Sequence, residues 1–342
     1  MGMNVKNLEI AIAKGWQPNQ YLTNMSMAFF QEGEYAARQL FPVCPVALSS
    51  SYFYTFSRED LARDNVQRKP LYGKVTPAVM GTTEDTYSCK VDQIITGIDE
   101  INVLNFQRSG TPGASDPRRG RVRFVTEQMN LHQDIIFAKN FFRSGAWKNE
   151  WTGATTANSA QKKFLRFDDA NCDPVDFFDQ RITDIKKIGR RKPNKLALGV
   201  DTFNALKINP YIMERIKYTG NSVTPAVVNE NTLAQLFGLD AVVVLDSTYN
   251  AAGLGEQEDM QFICDSKGAL LCYTTNAPQI DEPSAGYIFA WDMLGNGNYI
   301  ATDQFEGEGG THTQFIEGLI STDMHKCCDD LAIYMSDCVS AD

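Results

Sequence analysis

The sequence predicts a mixed α+β chain: a compact α/β unit in its second half, a long helix before it, and a protruding strand pair before that. Three observations carry the prediction. Phe124, Leu131, Ile135, Ala138 and Phe142 fall at steps of seven, four, three and four, a single apolar stripe at helical period over residues 121–143. Between residues 195 and 275, short apolar runs alternate with capped helical segments. Two strand-like segments, Ser51 to Phe56 and Thr86 to Val91, flank a long polar, turn-rich stretch.

Taken in order, residues 1–50 read as an N-terminal arm. Helical hints at 8–13 and 27–30 precede Pro42 and Pro45, too little to form a core alone, so the arm is expected to lie on something else. The stretch inside the strand pair carries Arg58, Arg63, Arg68, Lys69 and Lys74 among Pro70, Gly73, Pro77 and Gly81. A compact domain seldom keeps so long an excursion unless it contacts something. Residues 109–117 form a linker by composition. The helix over 121–143 would be roughly 33 Å long at about 1.5 Å per residue, ended by Gly145.

Asp173-Pro174 pairs a capping residue with a proline whose missing donor is harmless at a helix start. Phe178, Ile182, Ile185 and Ile188 line one face of that helix, and Gly189 closes it. A strand over Lys195 to Val200, a helix from Asn209-Pro210 to Tyr218, a helix from Glu230 to Phe237 closed by Gly238, and a strand from Asp240 to Leu245 follow. Residues 260–264 and 269–275 read as a hairpin across Asp265 to Gly268. Residues 175–310 thus form the α/β domain, and 311–342 a short acidic tail with Asp323, Asp329, Asp330 and Asp337.

The chain of 342 residues is 43% hydrophobic and 22% charged, enough for a sizeable core. Its formal net charge of -10 argues against nucleic-acid binding, because phosphate neutralisation needs the opposite sign. An acidic wall still suits a container, since like charge keeps enclosed DNA from sticking. No apolar run reaches membrane-spanning length, and the start lacks a secretory pattern, so the chain is expected to be made in a cytoplasm.

Familiar catalytic grammars are missing: no Gly-x-Ser-x-Gly elbow, phosphate loop or His-Glu-x-x-His occurs. Gly253-Leu-Gly255 lacks the third glycine of a dinucleotide site. The eight cysteines contain no Cys-x-x-Cys pair; His325 with Cys327 and Cys328 is at most half a metal site. Asp168-Asp169 and Glu256 to Asp259 lack calcium-loop spacing and read as solvated loop charge. Neither a catalytic residue nor a cofactor or metal is expected.

Several phrases, in order and spacing over about residues 50–290, resemble tailed-phage major capsid proteins of the Hong-Kong-97-type fold. They are Arg123 to Gln128, Ala138 to Phe142 with Gly145 to Trp147, Phe167 to Ala170 with Asp173-Pro174, Asn209-Pro210 through Tyr218, Leu233 to Phe237, Ala269 to Tyr273 and Pro283 to Tyr287. The resemblance implies an N-terminal arm over 1–50, an extended loop over 51–97 reaching a neighbouring subunit, and an axial domain over 175–310. It makes 98–174 with 311–342 the peripheral domain, whose spine helix packs through Phe124, Leu131, Ile135, Ala138 and Phe142. Arg58, Arg63, Arg68, Lys69 and Lys74 would meet acidic surface on the neighbour, and Tyr249 to Asp259 would form an axial tip.

The implied work is self-assembly into hexamers and pentamers of an icosahedral shell around DNA, built in the host bacterial cytoplasm and found in the virion. The implied partners are a separate scaffolding protein, since the arm leaves no room for a fused one, a portal and decoration proteins. Cross-linking through Lys69 or Lys74 is not expected. An encapsulin-like compartment or a gene-transfer-agent shell would share the fold. A soluble α/β enzyme with a metal in its acidic loops would instead show a concave pocket and a small oligomer.

Overall fold

A computed structural model of the chain describes residues 35–340, apart from 57–61, 70, 79–80, 102–103, 105–116, 218–227, 254, 277–281, 293–299 and 308–312. Helix α1 (Ala36–Leu40) and strands β1 (Val43–Val46), β2 (Ser50–Phe56), β3 (Thr82–Ser88) and β4 (Lys90–Asp99) lead into the long helix α2 (Pro117–Phe141). Strands β5 (Glu150–Ala154) and β6 (Lys163–Leu165) precede α3 (Pro174–Gly189), β7 (Lys195–Gly199), α4 (Val200–Ile208), α5 (Pro210–Lys217) and α6 (Glu230–Phe237). The remaining strands are β8 (Ala241–Leu245), β9 (Thr248–Asn250), β10 (Met260–Phe262), β11 (Ala269–Cys272), β12 (Gly286–Trp291), β13 (Ile300–Glu306), β14 (Thr313–Lys326) and β15 (Ala332–Ser336).

Two sheets organise the body. The larger has six strands in the order β6-β5-β15-β11-β7-β8. It is covered on both faces, so its strands read as unbroken apolar runs. Along β11 the side chains alternate: Leu270 and Cys272 join one core with Ala332 and Tyr334 of β15, while Ala269 and Leu271 join another with Ile333 and Met335. That second core includes Phe178, Ile182 and Ile185 of α3 and Leu233 and Phe237 of α6. The smaller sheet has five strands. Its central strand β14 pairs with β12 and β13 along one edge and with β4 over ten residues on the other, from Thr313↔Asp99 to Thr322↔Lys90. Helix α2 crosses this sheet and joins the first core through Phe137 and Phe141. Among the described residues no helix is long and apolar enough to cross a membrane.

Local signals explain the helices that read correctly. Asp173 caps α3 by accepting from the Val175 and Asp176 amides, at 3.0 and 3.4 Å. Asn229 caps α6 by accepting from the Thr232 amide, and Gly238 closes it at φ 64°.

Several expectations are corrected. The left-handed residue closing α3 is Arg190 (φ 58°), not Gly189. Gly189 is needed for space instead, because a Cβ there would lie 2.6 Å from Leu331 Cδ2 and 2.9 Å from the Asp330 carbonyl oxygen. Helix α4 was not expected; it follows β7 directly and its N-cap, Gly199, offers no side-chain hydrogen bond. Asp265 to Gly268 does turn, but its flanking strands part company. Met260–Phe262 pairs with Thr248–Asn250, whereas β11 pairs with β7 and β15. The returning strand of the extended loop is Thr82–Ser88 rather than 86–91.

The expected boundaries at 174/175 and 310/311 cut across both sheets. Strands β5, β6 and β15 complete the six-stranded sheet, and β12 and β13 belong with β14 and β4. The acidic tail is therefore structural core. The arm is also more than an arm: Ala36, Ala37, Leu40 and Phe41 are buried, and β1 pairs in parallel with β12. The helical hints at 8–13 and 27–30 lie outside the described residues.

Candidate assembly surfaces

The β2–β3 hairpin is anchored at its base and open at its tip. Its register runs from Ser50↔Ser88 to Phe56↔Thr82. At the base, the Ser88 amide donates to Asp323 Oδ2 at 2.8 Å and the Cys89 amide to the Ser49 carbonyl at 2.8 Å. Tyr87 stacks on Phe289 at 4.7 Å, and Phe53 contacts both Phe289 and His325 at 5.3 Å. These rings fix the direction in which the hairpin leaves the body.

Beyond the base, Arg63, Arg68, Lys69 and Lys74 are exposed; Arg58 lies outside the described residues. Sequence reasoning missed the apolar residues among them. Val66, Leu71 and Tyr72 are 90%, 86% and 99% exposed. Tyr72 also sits at φ 61°, a left-handed conformation that costs a non-glycine residue about 1–2 kcal/mol. Large apolar side chains inside a polar, turn-rich segment were the signal available in the sequence.

Helix α2 presents a different face to the sheet than the expected stripe. Phe124 is 43% exposed, Leu131 and Ile135 are half-buried, and Ala138 is buried. Phe142 is buried one residue past the helix end, edge-on to Tyr334 at 5.4 Å. The inward face is partly polar: Thr126, Asn130, Gln133 and Asp134 are buried beside Val122, Val125, Met129 and Phe137. Thr322 of β14 donates to Gln133 Oε1 at 3.2 Å. Asp134 accepts from the amides of Ala36 (3.0 Å) and Ala37 (2.9 Å), so the helix holds the start of α1. At the other end of α1, Lys195 Nζ donates to the Gln39 carbonyl at 2.6 Å. An anion at the N-terminus and a cation at the C-terminus both suit the helix dipole. Burial pushes the Asp134 carboxyl up to about 6, against the pull of the Ala37 and Ala36 amides.

On its outward side, the C-terminal half of α2 walls a cavity of about 430 Å³ lined by Ile135, Ala138, Lys139, Asn140, Arg143, Tyr249 and Ile263. The small β9–β10 ribbon beside it leaves Met260 and Phe262 exposed. Its loop is tied internally: Asn250 Oδ1 accepts from Ala252 and Asp259, and Glu256 accepts from Gly253 at 3.3 Å. Asp168 likewise accepts from the Ser340 amide at 3.0 Å and from its hydroxyl. These acidic clusters hold loops.

The chemistry of the thiols points the same way. All eight cysteines are free. Burial pushes Cys89, Cys172, Cys264, Cys272 and Cys327 up to about 12, opposite to what an activated nucleophile requires. Among the described residues no three His, Cys, Asp or Glu side chains gather as a metal set.

No protein-family profile matches the chain. The curated major capsid protein of Burkholderia phage BcepMu is 23% identical over 232 residues, covering 67% of this chain and 68% of that protein. A phage-related protein from Bordetella bronchiseptica, solved by crystallography, aligns over 95% of this chain and 99% of its own, with TM-score 0.71 and 18% identity. A virus-like particle from Pyrococcus furiosus aligns over 93% and 98%, with TM-score 0.52 and 7% identity. The chain is similar in sequence to a phage major capsid protein, and it has the Hong-Kong-97-type capsid fold.

Proposed function

We propose that this chain is the major capsid protein of a tailed double-stranded-DNA phage, assembling with copies of itself into the shell of the virion. The observation that carries the reading is the β2–β3 hairpin: a packed base, and a tip whose Val66, Leu71 and Tyr72 are almost fully exposed among the described residues. A neighbouring molecule can bury that surface, and a closed shell supplies one copy to every tip. Arg63, Arg68, Lys69 and Lys74 around the apolar tip suit the acidic exterior of a neighbour in a chain of net charge -10.

On this reading, the body built on the six-stranded sheet is the axial unit that surrounds the hexamer and pentamer centres, with the β9–β10 ribbon at its tip. The five-stranded sheet with α2 is the peripheral unit, and α2 is the spine. Assembly takes place in the host cytoplasm with a separate scaffolding protein and a portal. DNA is enclosed without sequence-specific contact, and the chain performs no catalysis of its own.

Size-exclusion chromatography with light scattering, followed by negative-stain microscopy, tests the proposal. Rings, tubes or closed particles of megadalton mass are expected, alone or with a scaffold encoded beside the gene. A subunit that stays monomeric or dimeric at high concentration with that scaffold would overturn it. An encapsulin-like compartment would give shells too; a portal and terminase among the gene's neighbours, rather than a cargo enzyme, decide for phage.

A further inference from the structure

Two exposed apolar patches belong to elements on opposite sides of the six-stranded sheet. At the corner between α4 and α5, Ile208 is 78% and Tyr211 37% exposed. On the β9–β10 ribbon, Met260 is 60% and Phe262 42% exposed. Leu206, Ile212 and Ile216 root the corner in the core shared with α3 and α6, whereas Ile263 roots the ribbon in the core shared with α2. Such patches mark interaction sites.

Both are built on fixed pieces of chain. Buried Asn209 donates to the Phe167 and Cys172 carbonyls at 3.1 and 3.2 Å, and its Oδ1 accepts from the Tyr211 amide at 3.0 Å. Asn250 gathers the ribbon in the same way, accepting from the Ala252 and Asp259 amides at 3.0 Å. Met260 and Phe262 share one face of the ribbon, opposite to Tyr249, which lines the α2 cavity.

The charges around the patches differ in sign. Glu256, Glu258 and Asp259 are exposed, and no Lys or Arg occurs from 246 to 263. At the corner, exposed Lys207 adjoins Ile208, with its ammonium 5.2 Å from the Phe203 ring. Arg215 is engaged by Asp173 at 2.8 Å, and exposed Glu214 is offset by exposed Lys217. Two ribbons brought together would repel, whereas a ribbon on a corner joins opposite charges and buries both apolar pairs.

We propose that the β9–β10 ribbon of one copy docks on the α4–α5 corner of the next, with Met260 and Phe262 against Ile208 and Tyr211 and with Glu258 and Asp259 toward Lys207. Because the two patches differ, the contact runs head to tail and repeats around a ring. It rests on the shell reading and names the surfaces that neighbouring copies use.

The test places the photo-cross-linking residue benzoylphenylalanine at position 260 of the full-length chain. Isotopically heavy and light chains are mixed, assembled with the scaffold encoded beside the gene, irradiated and mapped by mass spectrometry. The expected cross-links join position 260 to peptides spanning 203–217, with heavy–light pairs as frequent as same-label ones. Cross-links between two ribbons, or to any other peptide of a second copy, would overturn the contact while leaving the shell reading intact. A parent chain that forms no particles would sink both. Separately, Ile208→Asp is expected to leave thermal unfolding unchanged and to lower particle yield at least tenfold, since burial of that side chain is lost from every contact. A folded Ile208→Asp subunit that assembles like the parent would also overturn the proposal. Lys207→Glu should lower the yield roughly two- to fivefold, and Glu258→Lys in the same chain should restore it; a yield indifferent to both would remove the charge pairing on which the assignment rests.

Discussion

The six-stranded sheet and the β2–β3 hairpin handle large apolar residues in opposite ways. In the sheet, Leu270, Leu271, Ile333 and Tyr334 point alternately into two cores and are almost wholly buried. In the hairpin, the base rings pack while Leu71 and Tyr72 stand in solvent. Fully burying one such side chain contributes roughly 1.5–3 kcal/mol. The sheet collects that stabilisation within the chain; the hairpin tip leaves it to be collected on contact. On the shell reading proposed above, one region makes the subunit fold and the other makes it associate, so mutations should separate the two properties.

The largest effect is expected in the sheet. Tyr334→Ala removes a ring packed against Phe142 and should lower unfolding free energy by about 3–5 kcal/mol in denaturant titration. Next comes Asp134, whose carboxyl is raised to about 6 by burial. A carboxyl raised on folding contributes stability that is present below its unfolded value, near 3.8, and is lost as pH rises through about 6. Asp134→Asn should flatten the stability profile between pH 4 and 6 by roughly 1–3 kcal/mol; a slope unchanged by the substitution would show that the group titrates normally.

Asp173→Ala loses the α3 cap and the 2.8 Å bond from Arg215. It should destabilise by about 1–2 kcal/mol without altering assembly of the folded fraction. The smallest effect on folding belongs to Leu71→Asp with Tyr72→Asp, expected within about 0.5 kcal/mol of the parent. The same pair should abolish particles in light scattering. If it instead unfolds the subunit, or leaves shells intact, the contrast between the two regions is wrong.

The sequence exposed the parts of the fold that are encoded locally. Helices α3 and α6 were legible because Asp173-Pro174 and Gly238 act within one turn of chain. Helix α4 was not, because it follows β7 with no residue between and its N-cap, Gly199, has no side chain to mark its start. The 260–275 hairpin was misassigned for a related reason: the turn at Asp265 to Gly268 is local, but the partners of β10 and β11 are decided by distant strands. On α2 the hydropathy pattern caught only part of the inward face: Ala138 and Phe142 of the stripe are buried, whereas Phe124 is exposed. The same inward side buries Thr126, Asn130, Gln133 and Asp134, polar residues that the apolar stripe leaves out. The loop cations were legible as an unusual cluster, whereas the exposed Leu71 and Tyr72 beside them looked like any apolar residue until their surroundings were known.

The positions of β14 and β15 have a consequence for synthesis. Strand β14 is the centre of one sheet and β15 lies inside the other, yet each follows every other strand of its sheet in the chain. Lys90–Asp99 must wait for Thr313–Thr322 before it can pair on that edge. At about 5–20 residues per second, a ribosome needs roughly 10–45 s to supply that partner. A nascent chain therefore carries its hairpin long before it has a finished platform to hold it. Neither sheet is complete until Thr313–Ser336 has left the ribosome, so on the shell reading proposed above the order of the strands keeps shorter nascent chains from building shells.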